Sequence, residues 1–462
     1  MIAEETFFWS VRRLGAAIRE RKLSPVELTA AYLHRLETFG PKLGAVVTVT
    51  RDLAMAQAKA AENEINVGKY RGPLHGIPTT WGSAPYRNQV FDFDATVIAR
   101  LADVGAILIG KLAMLEIVGG FGFSSADASF TGPARTPWNI DHWAGGSSSG
   151  PGAATAAGLV AFSIGSETGG SILNPSNFCG LAGLRPTYGR VSRHGVVALS
   201  WTFDKVGPMC RTADDCGLVL SAIAGYDKLD PTTSRRKFEY AARVAHPRKF
   251  RFAIVKGTYE RVQLEIRANF LRSVEVLSQF ANIDHDVSFP DYPYAQTIGL
   301  IIAAEGASAF RELMDTGNEG QLQNQASRTT GYANAMVSAV DYLQAMRVRK
   351  RAREEMDTFL GRYDAVISPT MGAVSRRVDE PWDRPSPVPP TRTANTQSLS
   401  LLPAGNLGGI PGLTVPNGFG QNNIPTGIQF VGAAWSEKTL IAIADAYQAK
   451  TDFHTKRPPA VV

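Results

Sequence analysis

Two serines stand in glycine-rich turns that follow closely on one another: Ser147 in Gly145-Gly146-Ser147-Ser148-Ser149-Gly150, and Ser171 in Glu167-Thr168-Gly169-Gly170-Ser171. A serine hydroxyl is a weak nucleophile unless a base takes its proton and hydrogen-bond donors meet the charge that develops on the attacked carbonyl. Glycines beside such a serine allow backbone geometries closed to other residues, so that several N–H groups can converge on one point. The chemistry open to this pair is therefore acyl transfer through a serine ester. Ser148 also sits at the centre of Gly146-Ser147-Ser148-Ser149-Gly150, which has the form of a G-x-S-x-G nucleophile elbow. That motif needs a strand directly before it, and Thr136-Pro137-Trp138-Asn139-Ile140-Asp141-His142 is a poor strand. Gly105-Ala106-Ile107-Leu108-Ile109-Gly110-Lys111 falls one residue short of a phosphate-binding loop, because Leu112 stands where Ser or Thr is required. Its four middle residues are apolar and suit a buried strand.

Rigid elements must hold these turns. Trp143 precedes the first one and the alanine-rich helix expected over Ala153–Gly158 follows it. The serines thus belong to a structured helix N-terminus, with Ser149 as its expected cap, and not to a flexible linker. Helices are expected over the first 70 residues and over most of 259–360. Ser24-Pro25-Val26-Glu27 has the cap, proline and acid of a helix start, with Leu28, Tyr32 and Leu36 recurring on one face after it. Strands are expected at Ala106–Ile109, Leu159–Ile164, Phe252–Val255 and Ala365–Ile367. This alternation places the chain in the α/β class, with a sheet covered by helices. The proline-rich stretch Pro381–Pro390 reads as a surface lid or spacer.

A chain of 462 residues can build one large domain or two to three ordinary ones, and 44% apolar with 19% charged residues fits a globular protein. No uncharged apolar run reaches the length of a membrane span, and Met1-Ile2-Ala3-Glu4-Glu5 lacks the features of a signal peptide. Cys179, Cys210 and Cys216 have neither metal-ligand spacing nor an even count for disulfides, which suits reduced thiols and a cytoplasmic location. The net charge of +6 is spread along the chain apart from Arg347-Val348-Arg349-Lys350-Arg351-Ala352-Arg353. That cluster reads as a solvated helix face, and no nucleic-acid partner is expected.

The stretch from Gly145 to Arg190 carries GGSSSG, then TGGSI, then FCGLAGLRPTYGR, and in this order it resembles the signature of the amidase signature family. Asn406-Leu407-Gly408-Gly409-Ile410-Pro411-Gly412 with Val415-Pro416, and the opening around Ser24–Leu28, fit the same family, so the resemblance covers nearly the whole chain. It implies a single α/β domain over 1–462, a large mixed sheet sandwiched between helical layers. N-terminal helices would occupy 1–70, the signature core 71–225, a mainly helical region 226–360, and C-terminal strands and a helix 361–462. It implies hydrolysis of a small-molecule carboxamide through an acyl-enzyme, with no cofactor and no metal. Ser171 takes the place of the nucleophile and Ser147 that of a bridging serine in a cis peptide bond. The backbone amides of Thr168, Gly169 and Gly170 correspond to the oxyanion hole, with Ser148 and Glu167 in support. Cys179 falls in packing behind the site. The resemblance is compatible with a homodimer. It also leaves open a non-catalytic relative that binds carbonyl or amide groups, and a glutaminase-type amidotransferase component that works with a partner enzyme.

Two departures qualify the activity. The family sets its catalytic lysine shortly after a G-[IV]-P turn, in a pattern close to G-I-P-x-x-x-K-D. Leu74-His75-Gly76-Ile77-Pro78 is present, but Thr79-Thr80-Trp81-Gly82-Ser83 follows, with Gly82 at the lysine position and no lysine between Lys69 and Lys111. Pro78-Thr79-Thr80-Trp81-Gly82 looks like a second family turn fused to the first, as though the lysine strand and the loop after it were deleted. Arg87 cannot replace the base, because a guanidinium keeps its proton. Lys111 resembles a lysine that the family does not use. The second departure is Ile172-Leu173-Asn174 after Ser171, where the family usually has an arginine; this favours a neutral or apolar amide. Loss of a positioned general base typically costs about 10²–10⁴-fold in rate. Inserting a family lysine strand between Pro78 and Thr79 is therefore expected to raise amide hydrolysis by about that factor. An unchanged rate across a broad amide panel would overturn the deletion.

Overall fold

The computed structural model describes residues 2–80, 92–129, 131–240, 249–380 and 400–459. Local signals set the first long helix, Pro25–Phe39: the Ser24 hydroxyl accepts from the Glu27 amide at 3.1 Å, and Pro25 occupies the first helical position. Its Leu28, Tyr32 and Leu36 are fully buried, as their spacing predicts.

Among the described residues eleven strands form two sheets. In chain order they are β1 Val46–Val49, β2 Pro78–Thr80, β3 Ile107–Leu112, β4 Ser163–Glu167, β5 Ala182–Arg185 and β6 Lys205–Cys210, then β7 Phe250–Val255, β8 Ala281–Val287, β9 Ala365–Pro369, β10 Gly412–Phe419 and β11 Pro425–Val431. The main sheet has eight strands in the order β4-β6-β5-β10-β11-β9-β7-β8. It is mixed: β4 through β9 pair antiparallel along that order, while β9, β7 and β8 run parallel. Every position of β6 and β11 is buried, which requires helical cover on both faces. A second, smaller sheet has the order β1-β3-β2. The expected α/β class and the mixed sheet flanked by helices are both present.

Several elements depart from the sequence reading. The first 70 residues are not all helical, because Val46–Val49, a run rich in β-branched side chains, forms β1 against β3. The strand expected at Leu159–Ile164 begins later, at Ser163. The carbonyls of Val160 and Ala161 accept from the Arg211 guanidinium at 3.3 and 3.2 Å, so this apolar stretch is buried without joining the ladder. The mainly helical stretch 259–360 contains β8, a polar edge strand whose period gives little apolar signal. Lys111 lies inside β3 and not after it. The basic cluster sits on the helix Ala339–Leu360 with Arg347, Lys350, Arg351 and Arg353 exposed, while Arg349 folds inward to donate to the Leu407 carbonyl at 3.2 Å. Pro381–Pro390 lies outside the described residues. No described helix is long and apolar enough to cross a membrane.

Replacing Ser24 by alanine removes the acceptor for the Glu27 amide and is expected to lower stability by about 1 kcal/mol in urea denaturation. Threonine at this position keeps the acceptor and should restore most of the loss. A cost below about 0.3 kcal/mol for the alanine variant would refute the capping role.

Candidate active site

The two serine turns meet because β4 and the helix Ser149–Ala156 end side by side. Ser148 N donates to the Ser171 carbonyl at 3.3 Å, and Gly146 N donates to Asn174 Oδ1 at 3.0 Å. The approach is so close that a Cβ on Gly145 would lie 2.4 Å from Asn174 Oδ1, and the φ of Gly145 is +86°. Only glycine meets both conditions. The Gly146–Ser147 peptide is cis. The Ser147 carbonyl accepts from the amides of Leu115 at 3.1 Å and Ser149 at 2.8 Å. Its hydroxyl is buried and has no hydrogen-bond partner among the described residues. Such an orphaned buried polar group is uncommon and calls for a partner.

Ser148 and Ser149 have other tasks. The Ser148 hydroxyl donates to the Ser166 carbonyl at 3.3 Å and accepts from the Ser166 amide at 3.2 Å, which ties the first turn to β4. Residues 136–142 form turns and isolated bridges in place of the strand a nucleophile elbow needs, so the elbow reading of Ser148 fails. Ser149 is the first residue of its helix and makes no cap; its hydroxyl turns back to the Ser147 carbonyl at 3.4 Å.

Glu167 anchors the second turn. Its Oε2 accepts from the Ile172 and Leu173 amides at 2.8 and 2.9 Å, and its Oε1 accepts from Arg185 Nη1 at 3.0 Å and Asn406 Nδ2 at 2.9 Å. Among the described residues the amides of Thr168, Gly169, Gly170 and Ser171 make no hydrogen bond. The turn is thus held from below by two amides, and four more are left without partners beside a half-buried Ser171. The Thr168 hydroxyl donates to Asp204 Oδ1 at 2.6 Å, and Asp204 Oδ2 accepts from the Leu199 and Ser200 amides. Among the described residues, a Cβ on Gly169 would find only Ile302 within 4 Å, at 3.8 Å, and one on Gly170 only Leu402.

Burial pushes the Glu167 carboxyl up, but Arg185 and Lys205, together with the Leu173 amide and Asn406, outweigh it and hold the group below its ordinary range. Burial, reinforced by Arg185, pulls the Lys205 ammonium from 10.5 down to about 7. Lys205 lies opposite Glu167 across the β4–β6 pair and donates to the Phe203 carbonyl. Burial raises the Asp204 carboxyl. The Cys179 thiol is fully buried and burial pushes it to about 12, as expected of a packing residue.

The structure brings Ser147, Ser148, Glu167, Thr168, Gly169, Gly170 and Ser171 into one unit. It adds Arg185, Asn406, Asp204 and Lys205, which sequence reasoning did not assign. Arg185 and Asn406 lay inside recognised motifs, so their presence was visible but their shared target was not. Asp204 and Lys205 carried no signal of their own. Trp81–Ser83 and Arg87 lie outside the described residues.

The chain has relatives among known proteins. The protein-family model described as Amidase matches residues 27–441. The chain is 32% identical to a glutamyl-tRNA(Gln) amidotransferase chain of Moorella thermoacetica (strain ATCC 39073 / JCM 9320), over 98% of this chain and 99% of that one. It is 34% identical to the protein of the same name from Roseiflexus sp. (strain RS-1), over 96% of each. Its fold is similar to that of the native peptide amidase from Stenotrophomonas maltophilia, with a TM-score of 0.83, 28% identity and coverage of 97% and 98%. The match to the Moorella protein runs over 497 residues against a chain of 462, so at least 35 positions, the difference, hold a residue only in the relative.

Lys205 supplies a pH test. In the unfolded chain it titrates near 10.5 and in the folded protein near 7. Below about pH 7 both states hold the proton and the cost of burying it is constant; between about 7 and 10.5 the unfolded chain alone retains it, so stability rises with pH. Lys205→Met should remove this pH dependence, so that the wild type gains stability relative to the variant between about pH 7 and 10. Urea denaturation at several pH values checks this, and a pH-independent difference would overturn it.

Proposed function

The chain belongs to the amidase signature family, and from that premise we propose that it cleaves the C–N bond of a neutral carboxamide through an ester on Ser171, slowly, for want of the family lysine. Amidase-type C–N hydrolysis follows from the family. The observation that supports Ser171 as its agent is the group of four amides, Thr168 through Ser171, without partners among the described residues and beside a serine that is partly open to the surface. Attack by Ser171 Oγ forms a C–O bond and moves the carbonyl π electrons onto oxygen, where preorganised amides stabilise them. The Ser171 proton passes by way of the Ser147 hydroxyl to the leaving nitrogen as the C–N bond breaks. Water then hydrolyses the ester and restores Ser171.

The orphaned Ser147 hydroxyl supports the missing base. A bridging serine works between two partners, and this one has none among the described residues. The residues present in the Moorella relative and absent here are compatible with a deletion between Pro78 and Thr79. The apolar surroundings Ile302 and Leu402, with buried Leu173 in place of a cation, favour an uncharged acyl group. They weigh against an amino-acid amide such as glutamine, whose carboxylate would want a partner there, and hence against the amidotransferase role named for the relatives. A second reading, a module that binds carbonyl groups without turning them over, rests on the same orphaned hydroxyl.

A fluorophosphonate probe with adduct mapping by peptide mass spectrometry separates these. Slow labelling at Ser171, abolished in Ser171→Ala, is the expected result. An adduct at Ser148 would refute the assignment, and a folded protein with no adduct would leave only the binding module.

A further inference from the structure

A second carboxylate reaches the Ser171 turn from another direction. Glu305 is buried on the helix Tyr294–Ala309 and accepts four hydrogen bonds, all from neutral donors. Its Oε1 accepts from the Tyr342 hydroxyl at 2.7 Å and from the Thr202 hydroxyl. Its Oε2 accepts from the Thr202 amide at 3.1 Å and from the Ser200 hydroxyl. The Ser200 amide donates in turn to Asp204 Oδ2 at 2.9 Å, as the Leu199 amide does at 2.8 Å. Asp204 Oδ1 then accepts from the Thr168 hydroxyl at 2.6 Å, at the first residue of the turn before Ser171. The Phe203 and Asp204 amides both donate to the Ser200 carbonyl, so 200–204 is one tight turn between the two carboxylates.

Donors that converge on one group from several sides need oxygens that only accept, which a carboxylate supplies and a carboxamide does not. An apolar side chain would hold the helix at lower cost, because burying a carboxylate among neutral donors is expensive. The same helix also meets the turn directly: Ile302, one helical turn before Glu305, is the neighbour of Gly169. We propose that Glu305 is a positioning residue for the reaction at Ser171, acting through Ser200, Asp204 and Thr168 to hold the first amide of the turn. This inference rests on the reading of Ser171 given above. Tyr342 belongs to the helix Ala339–Leu360, so its hydroxyl fixes the carboxylate from the side opposite the turn 200–204. An amide displaced by a fraction of an ångström meets developing charge less well, so the effect falls on the rate of reaction and not on affinity.

The reaction of Ser171 with a fluorophosphonate, followed in the full chain over a range of probe concentrations, tests the proposal. Glu305→Gln should lower the rate at saturating probe by about tenfold and leave the half-saturating concentration within about twofold. Thr168→Val removes the last link, and adding Glu305→Gln to it should cost less than about twofold more. Tyr342→Phe, at a half-buried position, should slow labelling by about threefold. Equal rates for the wild type and Glu305→Gln would overturn the proposal, as would an undiminished effect of Glu305→Gln in the Thr168→Val chain. Circular dichroism with urea denaturation checks folding; if Glu305→Gln does not fold, an unchanged rate in Tyr342→Phe overturns it. Hydrogen exchange reads the relay without the reaction. The Leu199 and Ser200 amides, held by Asp204 and not by Glu305, should exchange at least about fivefold faster in Glu305→Gln. Acceleration confined to the Thr202 amide would overturn the relay. If the wild type never labels, the reading of Ser171 fails while exchange still decides the relay.

Discussion

The carboxylate of Glu167 is the constraint on which the geometry around Ser171 rests. Fully buried at the end of an edge strand, it gathers two amides, a guanidinium and a carboxamide from three separate stretches of chain. An ionised carboxylate without partners could not stay in such a place; with four donors, Arg185 among them, it can, and its ionised form is the favoured one. Because Ile172 and Leu173 are tied to it, the backbone just before them must turn sharply through Gly169 and Gly170. That turn leaves four N–H groups beside one serine. The accompanying cost is a cluster of like charges, Arg185 and Lys205, whose mutual repulsion and burial push Lys205 towards its neutral form.

Side-chain ties of the same kind explain the first turn. Ser148 is committed to β4 and Asn174 to Gly146, so the two turns are locked to each other through side chains and not through chance proximity. Locking of this kind places Ser147 deep in the protein and fixes its backbone on both sides, yet among the described residues leaves its hydroxyl unpartnered. Electrostatic preorganisation and proton transfer are separable contributions, and a chain can keep the first with the second weakened.

Around this centre the apolar surroundings set what can approach. Ile302 and Leu402 stand over the glycines, and Leu173 is buried with Ile172, Met209 and Leu402. None of these side chains offers charge.

Much of the α/β class and of the serine unit was legible in the sequence, because both rest on short-range signals. Glycines beside serines, the Ser24-Pro25 helix start and the apolar run of β3 each act within a few residues. Element boundaries were less legible where long-range contacts compete. Val160 and Ala161 look like strand but give their carbonyls to Arg211, and polar β8 forms a strand because β7 offers it an edge. Ser149 reads as a cap until the close approach of the two turns makes it the first helical residue. By itself the sequence determined which residue types stand beside which glycines, and that no lysine follows the Gly76-Ile77-Pro78 turn before Lys111. Only the tertiary structure decided that Glu167, Arg185, Asn406 and Lys205 share one buried site, since their side chains come from strands and a helix up to 239 residues apart and meet only when the sheet closes.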